Sequence, residues 1–123
     1  MHKNESAENY LEAILMLSKE QLEVRSIDVV NELGFKKSSV SVAMKKLRES
    51  GEIEMGPDGH ITLTDSGLAI AEKILERHEL ISSWLERLGV DPETAVEDAC
   101  GIEHVISAES FEAVKKYILA HQD

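Results

Sequence analysis

SIDVVNELGFKKSSVSVAMKKLRESG, residues 26 to 51, reads as two short helices separated by one tight break. In the first, Ile27, Val30 and Leu33 recur along one stripe with Val29 beside it, and Ser26 is placed to cap the N-terminus. Gly34 can leave a helix at no steric cost, and Phe35 follows to pin the corner. The second helix, about Lys37 to Glu49, offers Val40, Met44 and Leu47 to a core at helical spacing. Its polar residues are Lys36, Lys37, Ser38, Ser39, Ser41, Lys45, Lys46 and Arg48, so five bases and no acid lie from Phe35 to Arg48. Two helices joined by a glycine turn, the second basic and serine-rich at its start, predict a helix-turn-helix with its recognition helix. A plain helical hairpin with a solvated basic face is the alternative at this point.

The flanking residues favour the first reading. Gly51 ends the basic helix, and Glu52–Met55, the turn Gly56-Pro57-Asp58-Gly59 and His60–Leu63 then predict a β-hairpin. A hairpin directly after a recognition helix is the wing of a winged helix, and His60 is most simply a solvent-facing strand residue in it. Upstream, a helix is expected over Asn4–Lys19, with Tyr10, Ile14 and Leu17 at 3–4 spacing flanked by Leu11 and Leu15. Asn9, Glu12 and Met16 share another face, which read blandly is solvated surface. If the recognition helix meets DNA, Lys36, Lys37, Ser38 and Ser39 stand at its start, where the backbone N–H groups favour phosphate. Ser41 and Lys45 lie further along its outer face.

The second half is helical throughout. Thr64-Asp65-Ser66 caps a long helix reaching Leu88, closed by Gly89, whose stripe is Ala71, Ile74, Ile81, Leu85 and Leu88 with His78 in the same row. Trp84 and Leu80 on a second face are more apolar surface than one small lobe covers. Asp91 and Pro92 restart helix as N-cap and first residue. Through Val105 the inward stripe should be Val96, Ala99 or Cys100, Glu103 and Ile106, which puts a carboxylate where the period wants an apolar group. An unpaired buried carboxylate is costly, so a cation is expected near Glu103. Cys100, Glu103 and His104 stand at i, i+3 and i+4, on one helical face, and all three are metal-ligand types. Three ligands from one helix rarely close a site; His78, Asn9 and Glu12 are the natural candidates to complete it. Ser107 then caps a last helix with Phe111, Val114 and Ile118 inward.

The 123 residues suit one compact helical domain or a small one with an appended lobe. The fold class expected is mostly α: a winged helix-turn-helix over 1–63 followed by an all-helical dimerisation and metal-binding lobe over 64–123. No apolar run approaches the roughly 20 residues a membrane span needs, the start MHKNESAENY lacks a signal-peptide pattern, and a single cysteine fits a reducing cytoplasm. Net charge is −11, yet five of the thirteen bases fall between Lys36 and Arg48. A local basic helix on an acidic body can still dock phosphates, because exposed charges more than about 8–10 Å away are largely screened.

Taken in order, these motifs resemble the diphtheria-toxin-repressor family, including its manganese-transport-regulator branch. The resemblance runs from about Ser6 to Ser107. It rests on Tyr10-Leu11-Glu12, SSVSVAMKKL at 38–47, Leu63-Thr64-Asp65-Ser66-Gly67, Arg77-His78-Glu79-Leu80 and Gly101-Ile102-Glu103-His104-Val105. It implies a homodimeric, metal-activated repressor of metal-ion homeostasis that binds palindromic double-stranded DNA and is not an enzyme. By the resemblance Cys100, Glu103 and His104 match primary-site ligands, and Asn9 takes a fourth position that is usually Met in the iron branch and Asp in the manganese branch. Glu12 and His78 match ligands of the manganese branch's second metal, whose bridging Glu is replaced by Cys100. The iron branch's ancillary site is expected to be absent, with Ser82 and Val96 at two of its positions, and so is the SH3-like domain of longer members. The thiol makes Fe²⁺ the expected activator, with Mn²⁺ next. Two other classes stay open: a cytosolic metal buffer, and a winged-helix module that binds an acidic protein partner.

Overall fold

The computed structural model describes residues 6–122, which form six helices and one short hairpin: α1 Ala7–Glu20, α2 Ser26–Leu33, α3 Lys37–Glu49, β1 Ile53–Met55, β2 Ile61–Leu63, α4 Asp65–Arg87, α5 Pro92–Ile102 and α6 Ala108–Ala120. By internal contacts the chain divides into two compact units, Asn4–Lys73 and Ile74 onward, with the boundary inside α4.

In the first unit, α1 begins where Ser6 Oγ accepts the Asn9 N–H; the expected start at Asn4 lies outside the described residues. Tyr10, Leu11, Ile14, Leu15 and Leu17 are buried as the period required. Tyr10 meets Phe35 edge to face at 5.9 Å, so the aromatic after the turn does pin the corner. Gly34 takes φ 75° and closes α2. Two details of α2 differ from expectation. The helix starts one residue earlier, with Arg25 as N-cap and the Asp28 carboxylate accepting the Arg25 N–H at 2.9 Å. Its buried residues are Val29 and Leu33, one i,i+4 row, and this turns Ile27 outward. Helix α3 has the expected bounds and buries Val40, Met44 and Leu47.

The wing pairs Ile53 with Leu63, Glu54 with Thr62 and Met55 with Ile61, and Val24 extends it by one bridge to Ile61. Glu52 and His60, the expected first residues of the two strands, lie just outside them. Thr64 caps α4, its Oγ1 accepting the Gly67 N–H while its own N–H donates to the Glu52 carbonyl. Gly67 packs directly on that carbonyl, where any Cβ would overlap it.

In the second unit Ile81, Ala99 and Phe111 form a buried cluster with Leu80, Leu85, Ile102 and Ile106 packed around it. The end of α4 is a Schellman turn: Val90 N–H donates to the Leu85 carbonyl, Gly89 N–H to Glu86, and Gly89 takes φ 101°. Leu88 is the C-cap there and is exposed, contrary to its expected place in the stripe. Helix α5 also buries a different row. Ala95 and Ala99 point inward, in line with Glu103 four residues on, and Val96 is exposed. It ends at Ile102, short of the expected Val105, and the Val105 N–H takes the Ile102 carbonyl three residues back instead of the one four back that a continuing helix uses.

Candidate metal centre and recognition helix

Within the second unit, α4 supplies His78 and the end of α5 supplies Cys100, Glu103 and His104. Since α5 stops at Ile102, Glu103 is its C-cap and His104 stands in the turn beyond. That turn brings the two adjacent side chains toward the same place, which two neighbours on a continuous helix do not do. The ligand atoms of Cys100, Glu103 and His104 lie within 4.8 Å of one another. His104 Nε2 is 3.6 Å from Glu103 Oε1, and His78 Nδ1 is 3.5 Å from Glu103 Oε2.

Glu103 is fully buried, and neither of its oxygens receives a hydrogen bond. A carboxylate removed from water with no donor is destabilising by several kcal/mol or about that order, unless a cation shares the site. Two imidazoles and a thiol against such a carboxylate are the donor set of a first-row divalent ion. The residues present fit a metal.

Asn9 and Glu12 lie in α1, in the first unit, and both are buried, so neither is the solvated surface that a bland reading made of them. Met16 of that same face is exposed. Ser82, at a position of the expected-absent ancillary site, is buried with its hydroxyl on the Glu79 carbonyl.

On the first unit, Lys36, Lys37, Ser38, Ser41 and Lys45 are exposed and Ser39 is half-buried. Lys36 is the N-cap of α3, so its charge and that of Lys37 sit beside the free N–H groups of the first turn. Val42 is exposed on this helix among the bases and serines. The wing is tied down by Arg25, whose guanidinium reaches Asp58 Oδ2 at 3.0 Å and Glu23 Oε1 at 3.3 Å. His60 lies 3.9 Å from Glu23, and its N–H donates to Asp58 Oδ1. That N–H first, and Arg25 less strongly, hold the Asp58 carboxyl below its ordinary value of 3.8.

Two features at these sites were not read from the sequence. Arg77, noticed only inside a motif, is buried and donates to backbone carbonyls beside Glu103. The Arg25–Asp58 bridge spans 33 residues, which no local pattern marks.

Residues 3–61 match the family profile described as iron dependent repressor, N-terminal DNA binding domain, and residues 64–121 that described as iron dependent repressor, metal binding and dimerisation domain. Over 120 residues the chain is 36% identical to the transcriptional regulator MntR of Escherichia coli, covering 98% of this chain and 77% of the relative. It is 37% identical over 122 residues to a helix-turn-helix-type transcriptional regulator of Methanocaldococcus jannaschii, covering 98% of each. Among solved structures it is similar to a manganese-dependent transcriptional repressor in complex with manganese, with a TM-score of 0.80, 26% identity, and coverage of 92% of this chain and 52% of that one. The IdeR structure of T. acidophilum gives a TM-score of 0.79 at 27% identity, covering 91% and 54%. The chain thus spans about half the length of these solved chains.

Proposed function

The chain belongs to the iron-dependent repressor family of metal-dependent transcriptional regulators, and from that premise we propose that it is a homodimeric repressor whose grip on duplex DNA is switched by a divalent metal ion. The observation that carries this is Glu103, a fully buried carboxylate without a hydrogen-bond donor, faced by His78, His104 and Cys100. Residues 1–63 are the DNA-binding head and residues 64–123 the dimerisation and metal-binding lobe. Cys100, Glu103 and His104 hold the metal, with His78, Glu12 and Asn9 as further ligands on the family resemblance. When bound, a divalent ion supplies the positive charge that lets thiolate, carboxylate and imidazole occupy one small space.

The chain's own residues do the rest. Glu103 contributes charge, His78 and His104 contribute neutral donors, and Asn9 would offer a carbonyl where a carboxylate would add charge. Lys36, Lys37, Ser38, Ser39, Ser41 and Lys45 meet phosphate and base edges from the exposed side of α3. Paired heads of a two-fold dimer read a palindromic operator. A ligand set that includes α1 makes metal occupancy and the setting of the recognition helices one linked equilibrium. The matched profiles and relatives are described as transcriptional regulators, which supports reading the chain as a regulator and not an enzyme. No helix among the described residues is long and apolar enough to cross a membrane, and a thiol ligand needs the reducing cytoplasm in which DNA is found.

Thiolate softness favours Fe²⁺ over Mn²⁺ as activator, with Zn²⁺, Co²⁺ and Ni²⁺ as tighter binders by the usual affinity order. Manganese is the second reading, favoured by the similarity to a repressor described as manganese-dependent.

Anaerobic titration with Fe²⁺, Mn²⁺ and Zn²⁺ of a duplex selected from a random-sequence pool tests the proposal. Metal should be required for retention, and His104→Ala should lose the metal response while staying helical. Binding that is equal with and without metal in the native protein, His104→Ala and Cys100→Ala overturns it. A metal buffer would bind the ions and ignore the duplex, and a protein-binding module would ignore the duplex in every arm.

A further inference from the structure

The segment that supplies His78 also carries a buried cation. Arg77 is 7% exposed, and its Nη1 donates to the carbonyl oxygens of Glu103 and Ile106, each at 3.1 Å. Its guanidinium carbon lies 5.3 Å from the centroid of the Phe111 ring. Nε is equally buried and makes no hydrogen bond. Holding a guanidinium in the interior on carbonyls and a ring, with no carboxylate on it among the described residues, is expensive, and such a charge is tolerated best where partial negative charge collects. The C-terminal end of a helix is such a place, because its last carbonyls have no partner within the helix.

The two carbonyls that Arg77 takes bracket the turn from Glu103 to Ile106. Helix α5 has already ended there; the Glu103 N–H donates back to the Ala99 carbonyl, and the N–H groups of Val105 and Ile106 share that of Ile102. Glu103 and His104, two of the candidate ligands, are the first residues of that turn, and His78 is the residue next to Arg77 in α4. One dipeptide, Arg77-His78, therefore contributes both a ligand and the clamp on the backbone of two others.

We propose that Arg77 is the positioning residue of the metal centre, its guanidinium fixing the Glu103–Ile106 turn against α4 so that Glu103 and His104 are set toward His78 before metal arrives. This rests on the metal-centre reading above. Groups that orient ligands in this way are worth about ten- to hundredfold in metal affinity.

The test uses the full chain without DNA and Co²⁺ as the probe, reading dissociation constant and absorption spectrum anaerobically. Native protein should show a thiolate charge-transfer band. Arg77→Met should bind Co²⁺ about ten- to hundredfold more weakly with altered d–d bands, and Arg77→Lys, which keeps a donor, should fall between the two. Ile81→Val, which loosens the same core but touches neither the guanidinium nor a donor, should lower the thermal midpoint of the metal-free protein and keep native affinity and spectrum. If Arg77→Met does not fold, the comparison rests on Arg77→Lys, which must bind more weakly than native. A folded Arg77→Met with native affinity and spectrum overturns the proposal, as does Ile81→Val losing as much affinity as the arginine variants. Native protein that binds no Co²⁺ removes the metal-centre reading itself, a result distinct from either.

Discussion

Glu103 decides the balance between stability and function at the scale of single residues. Fully buried and without a hydrogen bond, its carboxylate costs the metal-free fold free energy that a neutral isostere would not. Glu103→Gln should leave the thermal midpoint of the metal-free protein equal or higher, while the rise in midpoint on adding metal disappears. In the native protein that rise corresponds to about 2.7 kcal/mol when free metal is a hundredfold above the dissociation constant. Calorimetry with and without Mn²⁺ checks both halves, and a Glu103→Gln protein that still gains stability from metal would place the site elsewhere. In the proposed centre Cys100 is the group that sets ion preference. Exchanging a soft thiolate for a hard carboxylate in Cys100→Glu should move the order of DNA activation from Fe²⁺ toward Mn²⁺; an unchanged order would show that the thiol is not a ligand.

At the scale of elements, α3 is the most legible in the sequence, because its basic residues, the flanking Gly34 and Gly51 and a strict Val40–Met44–Leu47 row agree with one another. Its charges carry a prediction: Lys45→Ala should reduce the salt slope of DNA binding by about one unit per protomer. If Lys36→Ala, Lys37→Ala and Lys45→Ala all leave slope and affinity as they were, α3 is not the reading helix. The corner between wing and α4 yields a second. A Cβ at Gly67 meets the Glu52 backbone, which cannot move without carrying β1 along. Gly67→Ala should therefore cost more than the ~1–3 kcal/mol of ordinary overpacking in urea denaturation. In the wing, the depressed Asp58 carboxyl gives a third. Its folded pKa lies below the ordinary 3.8, so the latch is fully formed above that pH and fades as pH falls through the lower folded value. An NMR titration of Asp58 should find the midpoint below 3.8, and Arg25→Ala should recover only part of the shift, since the His60 N–H is the larger cause. Helix α5 was read less well. Its buried row is Ala95–Ala99–Glu103, and a pattern of hydrophobicity prefers Val96 to an alanine although the smaller side chain is what packs inward. The ligand spacing of Cys100, Glu103 and His104 was legible because it is local. Arg77 was not, since its partners are backbone carbonyls 26 and 29 positions away, and a carbonyl has no residue type to recognise.

For the whole molecule the question is what a second copy covers. The second unit exposes Leu88, Val96, Val105, Tyr117 and Leu119, all large apolar residues in a unit of about fifty residues. Two of them, Leu88 and Val96, are residues whose periodicity points to burial and which the isolated chain leaves in water. Exposed apolar surface beyond scattered single residues usually marks an interface, and this stretch matches a profile described as a dimerisation domain. In the proposed mechanism two heads read half-sites about 34–36 Å apart and need a fixed two-fold relation between chains, which would make dimerisation a condition of operator affinity and not only of stability. The native protein should therefore sediment as a dimer at micromolar concentration with metal bound. Leu88→Glu combined with Val96→Glu should shift it to a monomer that keeps native Co²⁺ affinity, because neither residue is a candidate ligand. That monomer should retain weak binding to non-specific duplex, which each head supplies through phosphate contacts, and lose its preference for the selected palindrome. A native monomer with metal bound would sink the paired-head mechanism. A double variant that stays dimeric would move the interface to the other exposed residues, Val105, Tyr117 and Leu119, and leave the mechanism standing.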